Sequence, residues 1–149
     1  MSQERADSFI LERYRYVLSQ KQHLNSASLQ ILTVYQTGLA VVVSGQFGIL
    51  AATGSSLDVG LARAGSIALL FLMYIISIFS LLLLMSGISA WLSYREEEAE
   101  IERQILTVSR RHPRWQDAVS WFETYFGLAI ILIAAAYTAV CIFWVLPQM

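Results

Sequence analysis

With 149 residues, 56% of them hydrophobic and only 14% charged, the chain is too apolar for an ordinary soluble domain, where about a quarter of residues are charged. Its net charge of −1 argues against a dedicated nucleic-acid binder, and its single cysteine, Cys141, rules out a disulfide framework. The apolar residues come in blocks: no formal charge occurs in Leu29–Ala52, Ala64–Tyr94 or Thr124–Met149. Each block exceeds the roughly 18–20 residues needed to cross a hydrocarbon core of about 30 Å. The expected fold class is an all-α integral membrane protein: three transmembrane helices with helical cytoplasmic extensions.

In chain order, residues 1–28 read as an N-terminal cytoplasmic amphipathic helix. Asp7 or Ser8 is its expected N-cap, and Ile10, Tyr14, Val17, Leu24 and Ile31 recur at roughly heptad spacing, with Lys21 and Ser28 between them. No cleavable signal is expected, because about 28 polar or amphipathic residues come before the first apolar block. Residues 29–52 form transmembrane helix 1. Thr53-Gly54-Ser55-Ser56 supplies the turn chemistry of a short outer loop, and Asp58 is placed to cap the next helix. Residues 64–92 form transmembrane helix 2, which leaves the membrane at Trp91 and Tyr94. Residues 93–120 are a cytoplasmic helical elbow that Pro113 interrupts, and residues 121–146 form transmembrane helix 3.

Nine of the ten lysines and arginines precede the first span or lie between the second and third; only Arg63 falls on the other side. The positive-inside rule therefore puts the N-terminus and the elbow in the cytoplasm and the C-terminus outside, in a multi-pass inner (plasma) membrane protein. Measured from the membrane, Lys21 and Glu102 lie at matching depth, about 12 Å out, and Glu12 matches Arg110 or Arg111. The basic first arm is thus expected to pack antiparallel on the acidic run Glu96–Glu98, Glu100 and Glu102. In that pairing Glu12, Lys21, Glu98, Glu102 and Arg110 set the register.

Chemistry-bearing patterns are scarce. His23 and His112 lack a helical metal partner, so no metal or other cofactor is expected. No span holds an ionisable side chain of the kind that proton relays and ion-coupled carriers use, so neither an enzyme nor a secondary transporter is expected. The stretch "RRHPRW" places Arg111, Arg114 and Trp115 where they would meet anionic lipid headgroups or a trigger, with no direct nucleic-acid contact expected.

The polar outlier is Gln46, in "VVVSGQFGIL". A primary amide in hydrocarbon needs a partner. Three alternatives stand: a neighbouring helix of the same chain, another copy, or a ring of amides around a pore. Gly38, Gly45, Gly48 and Ala52 form a small-residue stripe beside it, and Thr33, Thr37, Ala40, Ser44 and Gly48 form a second, weakly polar stripe. Such stripes let helix backbones approach closely in lipid, so a homo-oligomer is expected, with Gln46, Gly38, Gly45, Gly48, Ser44 and Thr37 as its contact or pore-lining residues.

The arm "ILERYRYVLSQKQHLN" leads without a break into "LQILTVYQTGLAVVV", and the helix "REEEAEIERQILTV" continues from the second span. In this layout the chain resembles the SLATT-type membrane effectors of bacterial anti-phage systems. That resemblance implies an oligomer that disrupts the inner membrane when a sensor is triggered. The chain departs from the family in adding a third span, and in lacking a sensor domain and the arginine–histidine motif of the RNase-like relatives. The expected function is accordingly a non-enzymatic, homo-oligomeric pore-forming or membrane-perturbing effector, with antiviral defence as its setting. The alternative is a membrane anchor or adaptor whose arms dock a soluble sensor or partner protein at the cytoplasmic face.

Overall fold

The computed structural model describes residues 3–53, 56–106 and 122–148; the side chains at 3–7, 9, 10, 101, 102 and 104–106 lie outside that description. It is all-helical. Helix α1 (Gln3–Ala52) and helix α2 (Val59–Leu106) are 50 and 48 residues long. At 1.5 Å per residue each is roughly 70–75 Å, more than twice a hydrocarbon core. Helix α3 (Phe122–Val140) continues through a π-helical turn, Cys141–Val145, into a 3-10 turn, Leu146–Gln148. Three helical stretches are long and apolar enough to cross a membrane, within Leu11–Ala52, Val59–Glu100 and Phe122–Gln148.

The helix ends have local causes. Helix α1 begins at Gln3, a turn before the expected caps, with Asp7 and Ser8 inside it. No glycine or proline stops the backbone there, so capping preference alone does not set the start. Asp58 does cap α2: its Oδ2 accepts from the amides of Gly60 at 2.9 Å and Leu61 at 3.4 Å, two donors that the helix cannot satisfy itself. Helix α1 closes on its own turn, where Ala52 O accepts from Ser56 and Leu57, both at 3.1 Å. The π turn has its cause in Pro147, whose ring has no amide hydrogen and crowds the carbonyl four residues back. The preceding amide, of Leu146, reaches instead to Cys141 O, one residue further than an α-helix would.

Contacts divide the chain into two units that share these helices. One comprises residues 1–30 and 84–124, the other residues 31–83 and 125–149. In the first, α1 and α2 run antiparallel: Lys21 reaches Trp91, and Arg13 reaches Glu97. Val17, Ser28, Leu84 and Glu98 are buried there. The heptad face read from the sequence is the packed one, with Val17 fully buried and Lys21 and Leu24 half-buried.

The second unit holds the C-terminal part of α1, the N-terminal half of α2 and most of α3. Its interior mixes polar and small side chains with a few larger ones: Tyr35, Val42, Gln46, Ala62, Ser66, Met73, Ser77, Ser80, Ile130, Ala134, Cys141 and Val145 are buried. Most of its large apolar side chains, Phe47, Phe71, Ile75 and Leu82 among them, face outward. This is the reverse of a water-soluble core and suits a surface solvated by lipid. Close approach explains two of the glycines. A Cβ on Gly38 would sit 3.0 Å from Ile76 Cδ1, and one on Gly45 would sit 3.2 Å from Leu69 Cδ1.

Candidate functional site

Gln46 is the polar centre of the second unit, and it is buried to 6% exposure. Its amide nitrogen donates to Ser66 Oγ at 2.9 Å, and its carbonyl oxygen accepts from the Tyr137 hydroxyl at 3.3 Å. One residue each from α1, α2 and α3 thus meets in a side-chain network that the chain makes by itself. A second bond ties α2 to α3, where the hydroxyls of Tyr74 and Thr138 lie 2.8 Å apart. The hydroxyls of Tyr35 and Ser77 are two more buried polar groups in this unit, and neither has a hydrogen-bond partner. Interhelical bonds of this kind contribute about 0.6 kcal/mol on average and up to about 2 kcal/mol. Gln46→Leu should therefore lower stability by about 1–2 kcal/mol, measured by denaturant unfolding in detergent micelles. A loss near zero would mean that Ser66 and Tyr137 find other partners.

The residues that the sequence placed on one oligomer face separate in the structure. Gly38 and Gly45 are taken up by Ile76 and Leu69 of the same chain, and Gln46 faces inward with them. Thr33, Thr37, Ala40, Ser44 and Gly48 form an exposed stripe, and a Cβ on Gly48 would meet nothing within 4 Å. Thr37 folds its hydroxyl back onto Thr33 O at 2.9 Å, which satisfies a polar group in an apolar setting.

The arms carry an unequal set of charges. Lys21 Nζ lies 2.7 Å from Glu98 Oε2, with only 20% and 11% of the two side chains exposed. The same ammonium sits 5.3 Å from the Trp91 ring centroid, and the Arg95 guanidinium sits 4.9 Å from it. The depth match of Lys21 with Glu102 is corrected: the partner is Glu98, one helical turn nearer the span. Arg13 and Glu97, 3.9 Å apart, are both about half exposed, as are Arg103 and Glu100 at 3.5 Å. Glu12 is exposed. The side chain of Glu102, and Arg110, Arg111, Arg114 and Trp115 entirely, lie outside the described residues.

Sequence reasoning missed Ser66, Tyr137 and the role of Trp91 as a platform for two cations. The signal for the first two was present, since each is a polar residue inside an apolar run, like Gln46. Among the described residues no cluster of three or more histidine, cysteine or acidic side chains could hold a metal ion. Compared with known proteins, the chain matches no family model, no curated protein and no solved structure.

Proposed function

We propose that the chain is a non-enzymatic membrane anchor, spanning the inner membrane three times and docking a soluble partner on the helical arms at its cytoplasmic face. The observation that carries this reading is an exposed apolar surface on the arm of α1. Leu11 and Leu18 are 53% and 42% exposed, and at heptad spacing they share one helix face. Tyr16 adds a third exposed apolar side chain on the same arm. These residues lie among arginines and a glutamate, on the part of the chain that the positive-inside rule assigns to water. Apolar side chains there suit a protein surface better than solvent. The inward-facing Gln46 supports the same reading, because an amide buried to 6% exposure and bonded within its own chain presents little of itself to a ring of copies.

A second reading rests on the exposed Thr33–Gly48 stripe. Copies that associate through it would line a narrow polar path with Thr37 and Ser44, and the protein would be the homo-oligomeric pore-forming effector that its resemblance implies. In either reading the basic elbow with Arg111, Arg114 and Trp115 meets lipid or a trigger.

Mass measurement in nanodiscs, with conductance recording in planar bilayers, separates the two. The anchor reading predicts one small species, shared by wild type and Gln46→Leu, with no conductance. A defined ring whose conductance disappears in Thr37→Leu or Ser44→Leu would replace the anchor by the pore.

A further inference from the structure

Gln46 satisfies its amide within the chain; Gln36, on the same helix, does not. Its side chain is exposed, and no hydrogen bond from a described residue reaches it. Nine residues, or two and a half turns, separate it from Gly45, so it points away from the side of α1 that packs on Leu69. Its depth follows from the helix register. Gly38 meets Ile76 and Gly45 meets Leu69, which sets Gln36 level with Ile78, beside the middle of the uncharged run Ala64–Tyr94. With that run across the membrane, water is about 15 Å away on either side, beyond the reach of a glutamine side chain. A hydroxyl at such a depth has a local remedy, as Thr37 shows by donating to Thr33 O one turn back at 2.9 Å. A primary amide carries two N–H donors and a carbonyl acceptor, and it needs a partner that offers both kinds of group. Left bare in hydrocarbon it is costly.

We propose that Gln36 pairs with Gln36 of a second copy, in a parallel dimer formed through this face of α1. The chemistry selects a copy of the chain over an unrelated protein. Copies inserted with one topology bring equivalent residues to the same depth, so the partner group is present wherever the chain is. An amide is also complementary to itself: each Nε2–H donates to the carbonyl oxygen of the other side chain. This reciprocal pair closes at two copies, around a two-fold axis along the membrane normal. The flanking surface permits the approach. Thr33 and Ala40 lie one turn to either side of Gln36, with Ser44 a turn further, and all three are small and exposed. Close backbone contact and interhelical hydrogen bonds are what drive helix association in lipid. The pair does not rest on the function proposed above, because an anchor and a pore can each be assembled from dimers.

The test is sedimentation equilibrium of the full-length protein across a detergent dilution series, for wild type and Gln36→Leu. Wild type should sediment as a dimer, and Gln36→Leu should raise its dissociation constant about tenfold, the loss of two interhelical hydrogen bonds. Thermal melting at dilutions where both are monomeric checks the fold, and Gln36→Leu should melt no lower than wild type. Disulfide cross-linking in liposomes tests the face with Gln36 intact. In a Cys141→Ala background, Ala40→Cys should link to its own copy on oxidation, while Phe71→Cys, exposed on α2, should not. A monomeric wild type would overturn the proposal and leave the amide to a different protein. A dimer equally tight in Gln36→Leu would overturn it by placing the contact on another face, as would linkage through Phe71→Cys in place of Ala40→Cys. A larger ring that Gln36→Leu disperses would overturn the closed pair in favour of the pore. None of these readouts depends on a docked partner, so failure of the pair is distinguishable from failure of the anchor.

Discussion

Replacing Lys21 by methionine is expected to destabilise the cytoplasmic arms by about 2–3 kcal/mol. The ammonium is the partner of Glu98, whose side chain is nine-tenths covered, and its removal leaves a carboxylate in a site that water hardly reaches. Breaking a fully buried ion pair costs about 3–5 kcal/mol, and the residual exposure of Lys21 sets the expectation below that range. The substitution also removes one of the two cations over Trp91. The double variant Lys21→Met/Glu98→Met should recover most of the loss, because two apolar side chains of similar length can replace a buried pair at little cost. Arg13→Ala should cost only a few tenths of a kcal/mol, since Arg13 and Glu97 are 3.9 Å apart and half exposed. Hydrogen exchange along residues 11–30 measures all three variants. Equal effects of Lys21→Met and Arg13→Ala would mean that Glu98 keeps its hydration when the arms fold.

The second large effect is expected at Gly45. A leucine there places its first side-chain carbon 3.2 Å from Leu69 Cδ1 and brings a branched end beyond it, so Leu69 must shift or α1 and α2 must part. Overpacking of this kind costs about 1–3 kcal/mol. Gly38→Leu should behave alike against Ile76. Gly48→Leu is the contrast. The site is open, and removing a helical glycine reduces the conformational entropy of the unfolded chain, so stability should hold or rise by up to about 1 kcal/mol. Unfolding in detergent at two protein concentrations reads both outcomes. If Gly48→Leu destabilises as much as Gly45→Leu, and only at high concentration, the open stripe is a contact between copies, and the pore reading gains over the anchor.

The particular glycines make the general point about what a chain discloses. Gly38, Gly45 and Gly48 look equivalent in the sequence, three small residues in one apolar run. Helical spacing relates them only to one another. Which of them meets a neighbour depends on where α2 lies, and that is decided by Ile76 and Leu69 on the far side of the turn. The same holds for Gln46. Hydrocarbon chemistry requires a partner for its amide but cannot name Ser66 on the second helix or Tyr137 on the third.

What the sequence determined by itself is whatever acts locally or by counting. The lengths of the uncharged runs dictate three long apolar helices. The heptad of Tyr14, Val17, Leu24 and Ile31, with Lys21 and Ser28 between them, marks the packed face of the arm, and Asp58 caps α2 through the amides of its first turn. Pro147 carries the cause of the π turn, a local signal that could have been read in advance. The tertiary structure decided register. Depth counted from the membrane edges sets Lys21 against Glu102, but two helices leaving one tight turn pair residues equidistant from that turn. Lys21 and Trp91 stand almost equally far along the chain from the turn that joins α1 to α2. The ammonium accordingly reaches Trp91 and Glu98. A membrane edge is diffuse over several residues, whereas a hydrogen-bonded turn is not, and so the turn sets which side chains meet.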